Sequence, residues 1–248
     1  VVAVSGGIGT LLQQFRVELL ANTRHIRPSR IRHIAWRHRG FPLYRLPSQL
    51  LLAFSTQAPV IFAAGLFGAE TAGQLGLAFA ILATPMSLLG SSVANALYGE
   101  AASIGLHDPN RLLRLIKATQ KRLFLSSILP AAILFFFGPK LFALFFGNEW
   151  EAAGQFASIL SIYLVFQFTS APMIQMMNLL DAQHLFLAVN ALRVGGVIGL
   201  FAAVDAIMLS MIDFVVGYTV LNSILYAFVS FWVIRQVQTS SRRQHRSK

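Results

Sequence analysis

Six apolar stretches, each long enough to cross a bilayer, follow one another from Ser48 to Ile234, and the basic residues fall almost entirely in alternate connections between them. A helix rises about 1.5 Å per residue and the hydrocarbon core is about 30 Å thick, so a span needs roughly 20 mostly apolar residues. The spans read as 48–66, 72–98, 123–146, 152–180, 185–204 and 210–234. An all-α, integral membrane helical bundle is the fold this implies. With 56% hydrophobic and only 12% charged residues, the chain has too little polar surface to cover a water-soluble globule.

Orientation is read from arginine and lysine, which are enriched in cytoplasmic connections close to span ends. Seven arginines between Arg24 and Arg45 precede the first span; Arg111, Arg114, Lys117, Lys121 and Arg122 separate the second from the third; Arg235, Arg242, Arg243, Arg246 and Lys248 follow the last. The other connections carry acids: Glu70, Glu149, Glu151 and Asp205. Residues 1–47 and the tail 235–248 are therefore both expected on the cytoplasmic side. The net charge of +11 would point a soluble protein toward nucleic acid, but topology and anionic lipid headgroups account for it here. No nucleic-acid partner is expected.

The chain opens at Val1 and its first methionine is Met86, so it reads as the later part of a longer protein. Residues 1–20 are too short to span and read as the tail of an earlier span, with a signal-peptide core as the alternative. Residues 26–39 fit a helix in the headgroup layer or a basic linker. Asp108-Pro109 is an N-cap followed by a first-turn proline, which predicts a surface helix with Leu112, Leu115, Ile116 and Thr119 on one face and the cations on the other.

Pro59, Pro85, Pro130, Pro139 and Pro172 lie inside spans, where each removes a backbone donor and favours a kink. Kinked helices recur in transporters, around polar cavities. Polar residues gather near these prolines: Ser55, Thr56 and Gln57 in span one; Thr84, Ser87, Ser91, Ser92 and Asn95 in span two; Gln167, Thr169, Ser170, Gln175 and Asn178 in span four; Asn222 and Ser223 in span six. Amides in hydrocarbon need partners, so these face other helices or a wet interior. Three ionisable residues remain. Lys140 can snorkel at the outer end of span three. Arg193 either snorkels to the cytoplasmic headgroups or binds an anion, and Asp213 is a candidate for ion coupling. Gly195 and Gly199 form a Gly-x-x-x-Gly spacing that permits close helix approach.

No catalytic constellation is present: no His-Glu-x-x-His, no phosphate-cradling glycine loop, no Gly-x-Ser-x-Gly elbow. The six histidines fall in connections, three of them among arginines, and there is no cysteine. Neither a metal nor another cofactor is expected, and the chain does not read as an enzyme.

Several motifs occur in a telling order: Phe41-Pro42-Leu43-Tyr44 with Pro47, then Phe67-Gly68-Ala69-Glu70-Thr71-Ala72-Gly73, then Pro85-Met86-Ser87-Leu88-Leu89-Gly90, then Phe146-Gly147-Asn148-Glu149-Trp150 with Ala153-Gly154. In this order they resemble the second half of the bacterial polysaccharide flippases, the Wzx-like branch of the multidrug/oligosaccharidyl-lipid/polysaccharide exporter superfamily. Gln74-Leu75 departs from the aromatic residue common there. The resemblance implies one lobe of a two-lobed transporter that moves isoprenoid-diphosphate-linked oligosaccharide across the bacterial inner membrane for surface polysaccharide synthesis. Its partners would be the bilayer, the lipid-linked substrate, the N-terminal lobe of the same chain and other polysaccharide assembly proteins. A diphosphate needs a cationic, polar path, and Arg45, Gln57, Asn95, Asn178 and Arg193 are the candidates to line it. An exporter of drugs or of another lipid-linked precursor, and an integral-membrane polymerase or ligase, are the alternatives; the short outer connections argue against an outer active site.

Overall fold

The structure is a computed structural model that describes residues 40–85, 89–105, 108–180 and 182–246. The expected tail of an earlier span and the interfacial segment 26–39 lie outside those residues. The chain divides into two units, 1–46 and 47–248, and the second holds the spans. Every element among the described residues is helical: α1 (Gly40–Pro85), α2 (Ser91–Ile104), α3 (Pro109–Phe146), a 3-10 turn (Asn148–Trp150), α4 (Glu151–Leu179), α5 (Gln183–Ile207) and α6 (Met211–Arg246). The bundle is all-α.

Five stretches are apolar and long enough to cross a membrane: Leu46–Thr84, Pro109–Phe146, Asn148–Leu179, Gln183–Val204 and Met211–Thr239. The first holds the expected span 48–66 and only residues 72–84 of the expected span 72–98, whose later residues belong to α2 instead. Two helical arms meet at a kink at Gly68, whose φ of 88° and ψ of 170° lie outside the helical region. A side chain disfavours that conformation, and glycine permits it. The arms on either side fold back on each other, because a Cβ at Gly76 would sit 3.8 Å from Val60 Cγ1 although the two residues are 16 apart in sequence. A straight helix would separate them by about 24 Å. The second arm runs to Pro85, and a π turn at Leu89 and Gly90 leads into α2. Of the five prolines, Pro85 alone ends a helix; α3 continues through Pro130 and Pro139, and α4 through Pro172.

The connection before α3 forms as its sequence predicts. Asp108 Oδ1 accepts from the Arg111 N–H at 3.0 Å, capping the helix, and Pro109 occupies the first turn, where no N–H is needed. Leu112 and Ile116 are fully buried, whereas Arg111, Arg114, Lys117 and Lys121 are exposed. The surface helix and span three are one element of 38 residues, about 57 Å long and so well beyond the bilayer thickness.

Helices α3 and α4 meet through glycine. A Cβ at Gly154 would lie 2.5 Å from the Gly138 carbonyl oxygen, closer than two such atoms approach. Ser158 Oγ reinforces the crossing by donating to the Leu134 carbonyl at 2.8 Å. Between α5 and α6 the packing is reciprocal, with Leu221 seated against Gly196 and Leu200 against Gly217. The Gly195 and Gly199 pair expected to mediate close approach instead faces open space, because α5 turns the adjacent Gly196 toward its neighbour. Gln74, the departure from the family pattern, is a clamp. Its Nε2 donates to the Glu149 carbonyl and its Oε1 accepts from the Ala153 N–H, which ties the α3–α4 connection to α1 and satisfies a first-turn donor of α4.

Candidate functional site

The polar residues scattered along the spans converge only in part. Helix α5 is apolar on nearly every turn, but Asn190 and Arg193, three residues apart, share one face of it. Both point inward: Asn190 is 1% exposed and Arg193 is 3% exposed. Arg193 lies ten residues from the start of α5, about 15 Å along its axis and near the middle of the helix. The guanidinium carbon sits 4.7 Å from the centroid of the Tyr226 ring on α6. Snorkelling is thus not what this arginine does.

Arg193 and Asn190 line a cavity of about 490 Å³ whose wall also includes Thr56 from α1, Ser91 from α2 and Gln167 and Gln175 from α4. Thr56, Ala83 and Gln167 also line a second cavity of about 580 Å³, which adds Gln57 together with Tyr163 and Tyr218. The two adjoin. Tyr218 is held in an aromatic cluster, edge-on to Phe79 at 5.6 Å and to Tyr163 at 5.9 Å between ring centroids.

The electrostatics of the first cavity are unbalanced. Arg193 Nε and both side-chain polar atoms of Asn190 are buried with no hydrogen-bond partner in the protein. Among the described residues no acid lines the cavity. A cation in an apolar interior ordinarily has a carboxylate beside it; this one has an aromatic face, which offsets part of its desolvation at about 2 kcal/mol. The planar guanidinium retains free donors, in the geometry that matches phosphate or carboxylate. Asn190, one turn away, adds an amide donor and acceptor.

The structure sorts the sequence candidates. Arg193 is in the first cavity and Gln57 in the second. Asn178 donates to Gln175 Oε1 at 3.1 Å, so it orients a lining residue from behind. Asn95 is exposed on α2 and does not reach either cavity. Arg45 falls in the first unit, and its side chain lies outside the described residues. Asp213 is exposed at the start of α6, where its carboxylate accepts from the Ser210 N–H at 3.0 Å and the Ser210 hydroxyl at 2.6 Å, while its own N–H donates back to that hydroxyl at 3.3 Å. That is a capping box, and Asp213 lines neither cavity. Lys140 is exposed near the end of α3, as a snorkelling residue should be. Among the described residues no group of three or more His, Asp or Glu is arranged to hold a metal ion. Asn190 is the lining residue that sequence reasoning misses; its signal is the three-residue spacing to Arg193 in an otherwise apolar helix.

Comparison with protein-family models, with curated proteins and with solved structures gives no significant match.

Proposed function

We propose that this chain forms one lobe of a two-lobed exporter in the bacterial inner membrane, and that it moves the anionic headgroup of an isoprenoid-diphosphate-linked oligosaccharide between leaflets for surface polysaccharide synthesis. The observation that carries this reading is Arg193: a buried cation in the middle of a span-length helix, with no acid in the lining of the cavity it faces, which is walled in part by amides and hydroxyls. An anion crossing hydrocarbon unaided meets a cost of tens of kcal/mol by idealised Born estimates, so a carrier must present fixed donors and positive charge at mid-depth. Isolated intramembrane ionisable residues are by default functional. The motif order from Phe41 to Gly154 supplies the substrate class by resemblance, and the basic alternate connections support a cytoplasmic location for both ends. Alternating access would need the other lobe of the transporter across from this cavity. The sugar groups would meet Gln57, Gln167 and Gln175, whose amides can both donate and accept, while the isoprenoid tail stays in lipid.

The test is genetic. Deleting the intact gene is expected to abolish surface polymer and to trap isoprenoid-linked repeat units on the cytoplasmic face; the wild-type gene restores export, and Arg193→Gln at equal protein level does not. Unpolymerised units on the outer face would replace this reading with a polymerase or ligase. Unchanged polysaccharide would leave an exporter of another substrate.

A further inference from the structure

A third hollow has no part in the transport reading. It lies between α3, α4 and α6, has a volume of about 450 Å³, and is lined by Lys117, Lys121 and Gln120 at one end and by Phe124, Phe166 and Phe231 beyond them. We propose that it binds one anionic glycerophospholipid, with its phosphate at the two lysines and an acyl chain along the phenylalanines.

The depth of the hollow suits a headgroup. Lys117 and Lys121 are one helical turn apart on the exposed face of α3, immediately before the uncharged run that starts at Leu123. They sit where the helix leaves the hydrocarbon, at headgroup level. Arg235 stands in the same layer on α6, in a smaller hollow that shares Phe231 and Ile234 with the first. Two lysines thus line the hollow, and a third cation lines the one beside it.

The floor is chemically silent. Thr169 donates to the Val165 carbonyl at 2.7 Å, Ser170 donates to the Tyr226 carbonyl at 2.9 Å, and the Ser170 and Ser230 hydroxyls pair at 2.8 Å. Every hydroxyl on the floor is therefore engaged within the protein, and what remains to a ligand is methyl, methylene and ring surface. A small free anion would satisfy the lysines and leave this apolar trough uncovered. An amphiphile with a negative head and a hydrocarbon tail matches both halves at once, and basic pockets between helices at the headgroup layer bind such lipids in this manner. The site faces lipid rather than the Arg193 cavity, and the two share no lining residue. It stands whether or not the chain exports oligosaccharide.

The test uses the purified full chain in phosphatidylcholine vesicles that carry spin-labelled phosphatidylglycerol or spin-labelled phosphatidylcholine with the same acyl chains. Phosphatidylglycerol is expected to be immobilised about thirtyfold more strongly, given the attraction of two lysines at headgroup level. K117Q/K121Q should bring that ratio close to one, whereas R114Q/R122Q, which removes the same charge from the same helix outside the hollow, should keep it. Ala227→Trp, at an exposed position on the wall, fills the trough and should weaken the immobilised component with all lysines present. Equal loss in the two double variants would reduce the effect to diffuse charge and overturn the proposal. So would displacement of the spin-labelled lipid by inorganic phosphate, which would make this a free-anion site, and so would no preference at all in the wild-type chain.

Discussion

Replacing Arg193 with methionine separates the two roles a buried arginine can play. In the folded lobe the guanidinium is 3% exposed, with its Nε unpartnered and the Tyr226 ring 4.7 Å away. Two terms compete. The aromatic contact contributes about 2 kcal/mol when desolvated, and losing it is the penalty of the substitution. Against this, an arginine at the helix centre costs about 2.5 to 3.5 kcal/mol on insertion scales, and methionine removes that cost while filling similar space with an adaptable chain. The balance is a gain of about 1 kcal/mol, which for a domain of some 200 residues is a rise of about 2 to 4 °C in Tm. Thermal unfolding of the detergent-solubilised protein reads the stability, and restoration of surface polymer in a deletion strain reads the function. The expected result is a protein as stable as wild type or more so that exports nothing. Arg193→Lys should fall between, since it keeps the charge and loses the planar fork. A loss of more than about 2 kcal/mol in Arg193→Met, with export intact, would refute the argument and make the residue a structural tie between α5 and α6.

Three further substitutions probe the frame. Gly154→Ala places a methyl 2.5 Å from the Gly138 carbonyl oxygen and should cost about 2 kcal/mol or more by overpacking, read as a lower Tm; an unchanged Tm would mean the crossing relaxes freely. Gln74→Leu leaves the Ala153 N–H without its acceptor and should cost about 1 to 3 kcal/mol, with protease cleavage near Glu149 appearing before global unfolding. Ser210→Ala and Asp213→Ala should each cost about 1 kcal/mol, and the double variant little more than either, because the pair forms one cap. Additive losses would show two independent interactions.

The parts of this molecule that solvent dictates were legible in the sequence. Hydropathy separates span from connection because the bilayer is a uniform apolar medium, and the Asp108 cap and the cationic face of α3 come from rules that act within one or two helical turns. What could not be read was which side of each span faces inward. In α5 apolar residues surround the axis almost completely, so periodicity gives no direction, and Asn190 and Arg193 gain theirs from the approach of α6. The same limit left open the side taken by Asn95, which is polar inside an expected span and is exposed on α2. It also hid the work of Gln74, whose partners lie 75 and 79 residues away. At Asp213 it was the local partner that went unread: Ser210, three residues earlier, forms a cap with it. The prolines did not announce the kink within α1, which falls at Gly68, where a positive φ breaks the helical geometry.

The glycine crossing of α3 and α4 has a mechanical consequence. Side chains between helices act as bearings: they change rotamer and let one helix slide over the other by small steps. At Gly138 and Gly154 there are none, and main chain rests on main chain with Ser158 pinned across it. Sliding at that crossing would have to break main-chain contact and the Ser158 hydrogen bond together, whereas α5 and α6 meet through the side chains of Leu200 and Leu221, each seated against a glycine.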